Sequence, residues 1–200
     1  MAGFTLISGN RMEWLARELA AHIKIRTGDS LTPELIVIQS RGMERWLALE
    51  IARQAGARSI LNTAPFLPDT EKLAPLADIV VANETEFSLL TGRPIAELDM
   101  AMQDWVNRTG RTIVVTLGPE GARARTPDGP ISVAAHKIKP VDTVGAGDTF
   151  CGYLAAGLDA GYSLEAALRR AAVAGSLACL KPGAQPAIPT KSDVDGVLGV

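Results

Sequence analysis

One stretch narrows what this chain can fold into more than any other. From Pro140 to Phe150 it reads Pro-Val-Asp-Thr-Val-Gly-Ala-Gly-Asp-Thr-Phe. Gly145 and Gly147 flank Ala146, the acid Asp148 follows at once, and an apolar run then begins at Phe150. Glycines tolerate positive φ and let a ligand approach the backbone amides closely. The residues from Asp148 onward (Phe150, Cys151, Tyr153, Leu154, Leu158) predict a helix that ends near Gly161. A glycine loop feeding a helix N-terminus gathers unpaired N–H groups and the positive dipole end at one spot, which makes an anion site. A carboxylate there opposes anion binding unless it serves as a base beside a transferred group. That is the role expected of Asp148; an ordinary N-cap in a glycine-rich turn is the alternative.

The remainder alternates strand and helix. Short strands are expected at residues 4–8 and 34–39, with Ser8 or Asn10 capping a first helix that carries Leu15, Leu19, His22 and Ile23 on one face. A second helix is expected over residues 43–55 and a strand over 59–65 running into a turn at Pro65. After a short helix over 71–76, residues 77–82 form a continuous apolar run, the mark of a strand buried on both faces. Helices are expected over 85–91, closed by Gly92, and over 95–109. Strand 112–118 ends in the turn Gly118-Pro119-Glu120-Gly121. Two antiparallel edge strands flank the turn at Pro127 to Pro130, and Ser163 caps a helix over 164–180. Such alternation predicts an α/β fold, a mostly parallel sheet with flanking helices.

Composition bounds function more loosely. A chain of 200 residues with 47% hydrophobic and 21% charged side chains can bury one substantial core. A net charge of −2 argues against a nucleic-acid partner or a charged membrane surface. No apolar run approaches the ~18 residues of a membrane span, and a cytoplasmic protein is expected. Cys151 and Cys179 sit among apolar neighbours and are expected as free, buried thiols. His22 has no metal-ligand neighbour and is expected partly buried or at the surface, and His136 is expected as a loop histidine.

Asp142 to Phe150 resembles the C-terminal signature of the ribokinase-like (PfkB) sugar and nucleoside kinases, and the likeness runs from about residue 57 to residue 200. The resemblance implies an ATP-dependent phosphotransferase with an alcohol group as acceptor. Asp148 would be the general base, and the amides of Gly145, Ala146 and Gly147 would form the anion hole for the transferred phosphate. It implies that Asn83 and Glu86, an Asn-x-x-Glu after a strand, hold Mg²⁺ and phosphate. The bland account of that pair is a helix start with acids complementing the dipole. Thr116, Gly118 and Gly121 would meet the nucleotide, against the plainer account of a β-turn. It further implies a K⁺ held by Asp142 and Val144 with the carbonyls of Ala178, Lys181 and Gly183; Ala187 stands where relatives commonly carry a hydroxyl.

The first fifty or so residues depart from that pattern. They lack the Gly-Gly-x-x-x-Asn segment expected in the sugar-binding half of such kinases. Phe4-Thr5-Leu6 and the run from Gln39 to Leu47 instead resemble the N-terminus of RecC, the exodeoxyribonuclease V gamma chain. Arg41, Arg45 and Arg53 are expected on a solvated helix face rather than on phosphates. Two parts are therefore expected, residues 1–56 and a kinase-like portion over 57–200 that is incomplete relative to the full fold. Sugar phosphorylation, impaired for want of the sugar-binding half, is the leading expectation. A nucleotide-binding or vestigial fusion protein without turnover is the alternative, and a DNA-repair accessory comes third. A homodimer is left open.

Overall fold

The computed structural model describes residues 16–19, 21 and 41–200. The strands expected at 4–8 and 34–39, the caps at Ser8 and Asn10, and His22 lie outside the described residues. Helix α1 (Arg41–Ala55) leads into β1 (Ile60–Asn62), a strand shorter than the sequence suggests. Arg53 on α1 is exposed and bound to Glu50, the solvated face expected of it.

A brief helical turn α2 (Thr70–Leu73) precedes β2 (Ile79–Asn83) and α3 (Glu84–Thr91). The apolar run of β2 stops at Asn83, whose side chain accepts the Glu86 N–H and starts α3 one residue earlier than expected. Gly92 ends α3 in the left-handed conformation. Helix α4 (Leu98–Thr109) is followed by β3 (Thr112–Thr116) and the hairpin of β4 (Ala122–Thr126) and β5 (Gly129–Val133). Helices α5 (Ala146–Asp159), α6 (Leu164–Ala178) and α7 (Lys191–Leu198) complete the chain, and Ser163 caps α6 as expected.

The sheet order is β1-β2-β3-β4-β5. β1, β2 and β3 pair in parallel, while β4 is antiparallel to both β3 and β5, so β4 alone opposes the common direction. This corrects one expectation: β4 is an interior strand and only β5 lies at that edge. The reason is that a tight hairpin can extend a parallel sheet without a crossover helix.

Each central strand feeds both faces, as its unbroken apolar run foretold. Val80 and Ala82 of β2 with Ile113 and Val115 of β3 meet α3 and α4 through Phe87, Leu90, Met102 and Trp105. Trp46 and Leu49 of α1 join this layer. The alternate residues Ile79, Val81 and Val114 meet Phe150 and Leu154 of α5 and Leu168 and Ala171 of α6. Burying one such side chain contributes about 1.5–3 kcal/mol. Arg170 of α6 pairs with Asp195 of α7, and the Tyr153 hydroxyl donates to the Pro189 carbonyl at 2.7 Å, fastening the last helix down. No helix among the described residues is long and apolar enough to cross a membrane. Both cysteines are free.

Candidate active site

Parallel pairing brings the carboxyl ends of β1, β2 and β3 to one edge, and the β2–β3 register sets Asn83 opposite Thr116. Helix α5 points its N-terminus at the same edge. Between them lies an open hollow of about 200 Å³ lined by Asn62, Ala64, Val81, Ala82, Asn83, Glu86, Thr116, Gly145, Gly147, Asp148 and Cys151. Crevices outside the carboxyl ends of strands are where open α/β sheets bind ligands.

The loop before α5 owes its shape to Gly145, the N-cap, which stands at φ 78°. A Cβ there would lie 2.7 Å from the Ala184 Cβ, so glycine is required both by conformation and by space. The helix opens at Ala146, two residues before the sequence suggests. Asp148 therefore occupies the third helical position, which removes the reading of it as an N-cap. Its carboxylate is exposed on the hollow. Among the described residues the N–H groups of Gly145, Gly147 and Asp148 have no hydrogen-bond acceptor, whereas Ala146 N–H donates to the Thr143 carbonyl at 3.3 Å. Three unpaired amides at a helix N-terminus thus surround an exposed carboxylate.

Across the hollow, Glu86 is 9% exposed and its Oε2 accepts from Asn83 N–H at 3.1 Å and from the Thr63 hydroxyl at 2.9 Å. The capping box between Asn83 and Glu86 realises the plain account of this pair, and both residues also line the hollow. Among the described residues, Glu86 and Asp148 are the charged groups of the lining, with no lysine or arginine. A polyphosphate entering here needs a cation, and Mg²⁺ suits the donors, since it takes one or two carboxylates plus phosphate oxygens rather than an all-protein cage. Among the described residues no group of three or more His, Cys, Asp or Glu is placed to hold a metal ion.

Of the residues expected at the nucleotide, Thr116 lines the hollow and Gly118 and Gly121 do not. Gly121 has a backbone reason of its own: at φ 102° a Cβ would meet the Val133 carbonyl at 2.1 Å. The expected K⁺ residues fall on two segments laced together. Asp142 Oδ1 accepts from Val144 N–H at 3.0 Å and Oδ2 from Gly183 N–H at 2.8 Å. The Cys179 carbonyl, just beyond the buried Ala178, accepts from the backbones of Val141 and Asp142. Lys181 is exposed between them. The Gly183 and Val144 amides hold the Asp142 carboxyl below the usual carboxylate range. A carboxylate has about four acceptor sites, so these two bonds leave room for a weakly charged cation beside it.

Sequence reasoning missed Asn62, Ala64 and Cys151. Asn62 ends β1 and Ala64 lies two residues beyond it, a place that the strand-end rule could have flagged. Cys151 lies three residues after Asp148, hence on the same helix face. Burial, with the charges of Asp148 and Glu86, pushes its thiol up to about 12.

The pfkB family carbohydrate kinase model matches residues 42–191. The RecC N-terminal domain model matches residues 4–67, so β1 and all of α1 except Arg41 fall within both matches. The chain is 36% identical to a ribokinase of Staphylococcus aureus over 155 residues, covering 75% of this chain and 51% of that one. It is 33% identical to a deoxyribokinase of Salmonella typhi over 147 residues, covering 72% and 48% respectively. The structure of Arabidopsis thaliana ribokinase complexed with ribose and ATP superposes with a TM-score of 0.73 at 31% identity, over 80% of this chain and 53% of that one. The chain spans about half the length of these relatives. With three quarters of its residues matched and the glycine loop, the exposed Asp148 and the strand-end hollow in place, the chain belongs to the pfkB family of carbohydrate kinases.

Proposed function

We propose that this chain transfers the γ-phosphoryl group of ATP to a hydroxyl of a small sugar. The observation that carries the reading is the hollow where the unpaired amides of Gly145, Gly147 and Asp148 meet the exposed Asp148 carboxylate. Phosphoryl transfer requires little covalent help from the protein, because charge spreads over the equatorial oxygens and must be positioned and stabilised. The amides at the start of α5 stabilise that charge. Asp148 accepts the proton of the acceptor hydroxyl as its oxygen bonds to phosphorus and the bond to ADP breaks. General-base assistance of this kind is worth ~10²–10⁴-fold. Mg²⁺, when bound, neutralises phosphate charge, and Glu86 with Asn83 would hold it. Thr116, with Gly118 and Gly121 in the turn beyond it, is assigned to the nucleotide. K⁺ is assigned to Asp142, Val144 and the carbonyls of Ala178, Lys181 and Gly183, where it would steady the loop before α5. Residues 57–200 form the phosphoryl-transfer portion in this reading, with the 1–56 segment contributing α1 to its core.

The relatives named ribokinase and deoxyribokinase support a pentose as acceptor. Beyond Asp148, the described residues of the lining offer Asn62, Asn83, Thr116 and Glu86 as polar side chains to orient a sugar. Orientation can supply ~7–11 kcal/mol of a barrier, so turnover by this chain is expected to be slow, with nucleotide held more readily than sugar. ADP release with ribose, Mg²⁺ and K⁺, measured for the chain and for Asp148→Asn, tests the proposal. A rate that depends on ribose and collapses in the variant supports it. Equal rates in the two proteins refute it. Nucleotide binding with no ribose-dependent rate in either protein leaves the non-catalytic reading in its place.

A further inference from the structure

Thr63 follows directly on β1 and is the least exposed of the buried polar side chains described, at 1%. Its hydroxyl carries one proton and has two acceptors within reach, Glu86 Oε2 at 2.9 Å and the Val81 carbonyl at 3.2 Å. The carboxylate is both the nearer and the charged acceptor, and hydrogen bonds to charged acceptors are the stronger. The Val81 carbonyl already receives the Thr63 backbone N–H at 3.0 Å. The proton therefore belongs to Glu86. Asn83 N–H reaches the same oxygen at 3.1 Å. Two donors, one from the end of β1 and one from the end of β2, grip Oε2. The β1–β2 ladder has no use for the hydroxyl, and a valine would fill the same space. Packing alone leaves the oxygen of Thr63 unexplained.

We infer that Thr63 is a positioning residue that acts through Glu86, fixing the carboxylate for a divalent cation–nucleotide complex in the hollow. The inference rests on the function proposed above. With Asn83 N–H as its one remaining donor among the described residues, the carboxylate would turn more freely about its last torsion, which is intrinsically broad. Removing the outer partner of a metal ligand typically costs 10–100-fold in metal affinity.

The test uses Mn²⁺ with β,γ-imido-ATP, read by electron paramagnetic resonance on the full chain, Thr63→Val and Thr63→Ser. Melting curves without metal accompany each titration. Expected is a loss of about 10–100-fold in Mn²⁺ affinity for Thr63→Val and a near-normal affinity for Thr63→Ser, which keeps the hydroxyl. A purely structural Thr63 would lower the melting temperature of Thr63→Val and leave the Mn²⁺ affinity of its folded form within about twofold of the unaltered chain, and that result overturns the inference. Should Thr63→Val fail to fold, Thr63→Cys replaces it, its weaker donor giving an intermediate loss if the inference holds and none if it fails. Equal affinities in the unaltered chain and the variant defeat the positioning role alone. No Mn²⁺–nucleotide binding by the unaltered chain defeats both it and the proposed function.

Discussion

Asp142 in the loop before α5 and Asp148 in the first turn of α5 stand on either side of Gly145, and the fold puts them to opposite uses. The Asp142 carboxylate is spent on structure: its two oxygens bind the backbones of Val144 and Gly183 and so join the loop to the segment after α6. Asp148 makes no such bond among the described residues and faces the hollow from the first turn of α5. The pair teaches that identical side chains acquire roles from the donors around them. An acid bound by amides on both oxygens is held charged and still, while one left open to a cavity keeps its lone pairs for a substrate.

The sharpest way to break this contrast is to neutralise each acid in turn. Asp148→Asn should lower ribose-dependent turnover by ~10²–10⁴-fold while nucleotide affinity, followed by fluorescence titration, stays within a few-fold. A comparable fall in nucleotide affinity would mean that Asp148 serves binding rather than proton transfer. Gly145→Ala tests the loop that separates the two acids. Placing a side chain at φ 78° against Ala184 should cost about 1–3 kcal/mol, read by urea unfolding, and should weaken nucleotide binding through the disturbed amides.

Asp142→Asn should act on stability and leave the proton-transfer step alone. Because the folded-state value of Asp142 lies below the ordinary 3.8, its contribution is fully present above that value and is lost as pH falls through the lowered one. Melting temperatures recorded from about pH 6 to about pH 3 should therefore drop less steeply for Asp142→Asn than for the unaltered chain. Identical acid limbs would show that the two amide bonds add nothing. The smallest effect is expected at Cys151, whose thiol is raised by burial first and then by Asp148 and Glu86. Its alkylation by iodoacetamide should be slow near neutral pH and a few-fold faster in Asp148→Asn, since removing a negative charge favours the thiolate. An unchanged rate would assign the inertness to burial alone.

Much of the architecture was legible because short-range rules decide it. The unbroken apolar run from Ile79 to Ala82 required a strand buried on both faces, and Val80 and Val81 do face opposite layers. Gly92 and Ser163 marked a helix end and a helix start through conformation and capping. Less legible was what depends on partners distant in sequence. Nothing local to Asp142 reveals that Gly183 will be its donor, nothing in Thr63 announces Glu86, and the place of β4 inside the sheet depends on which edge the hairpin joins.

By itself, then, the sequence determined the alternation of strand and helix, the glycine turn before α5 and the two acids that frame it, because periodicity, capping and φ preference are properties of neighbours along the chain. Only the tertiary structure decided that Asn62, Asn83, Thr116 and Asp148 share one hollow, that the N–H groups of Gly145 and Gly147 stay unpaired, and that Thr63 grips Glu86. Those facts follow from parallel strand register and helix docking, which bring together residues that no local preference connects.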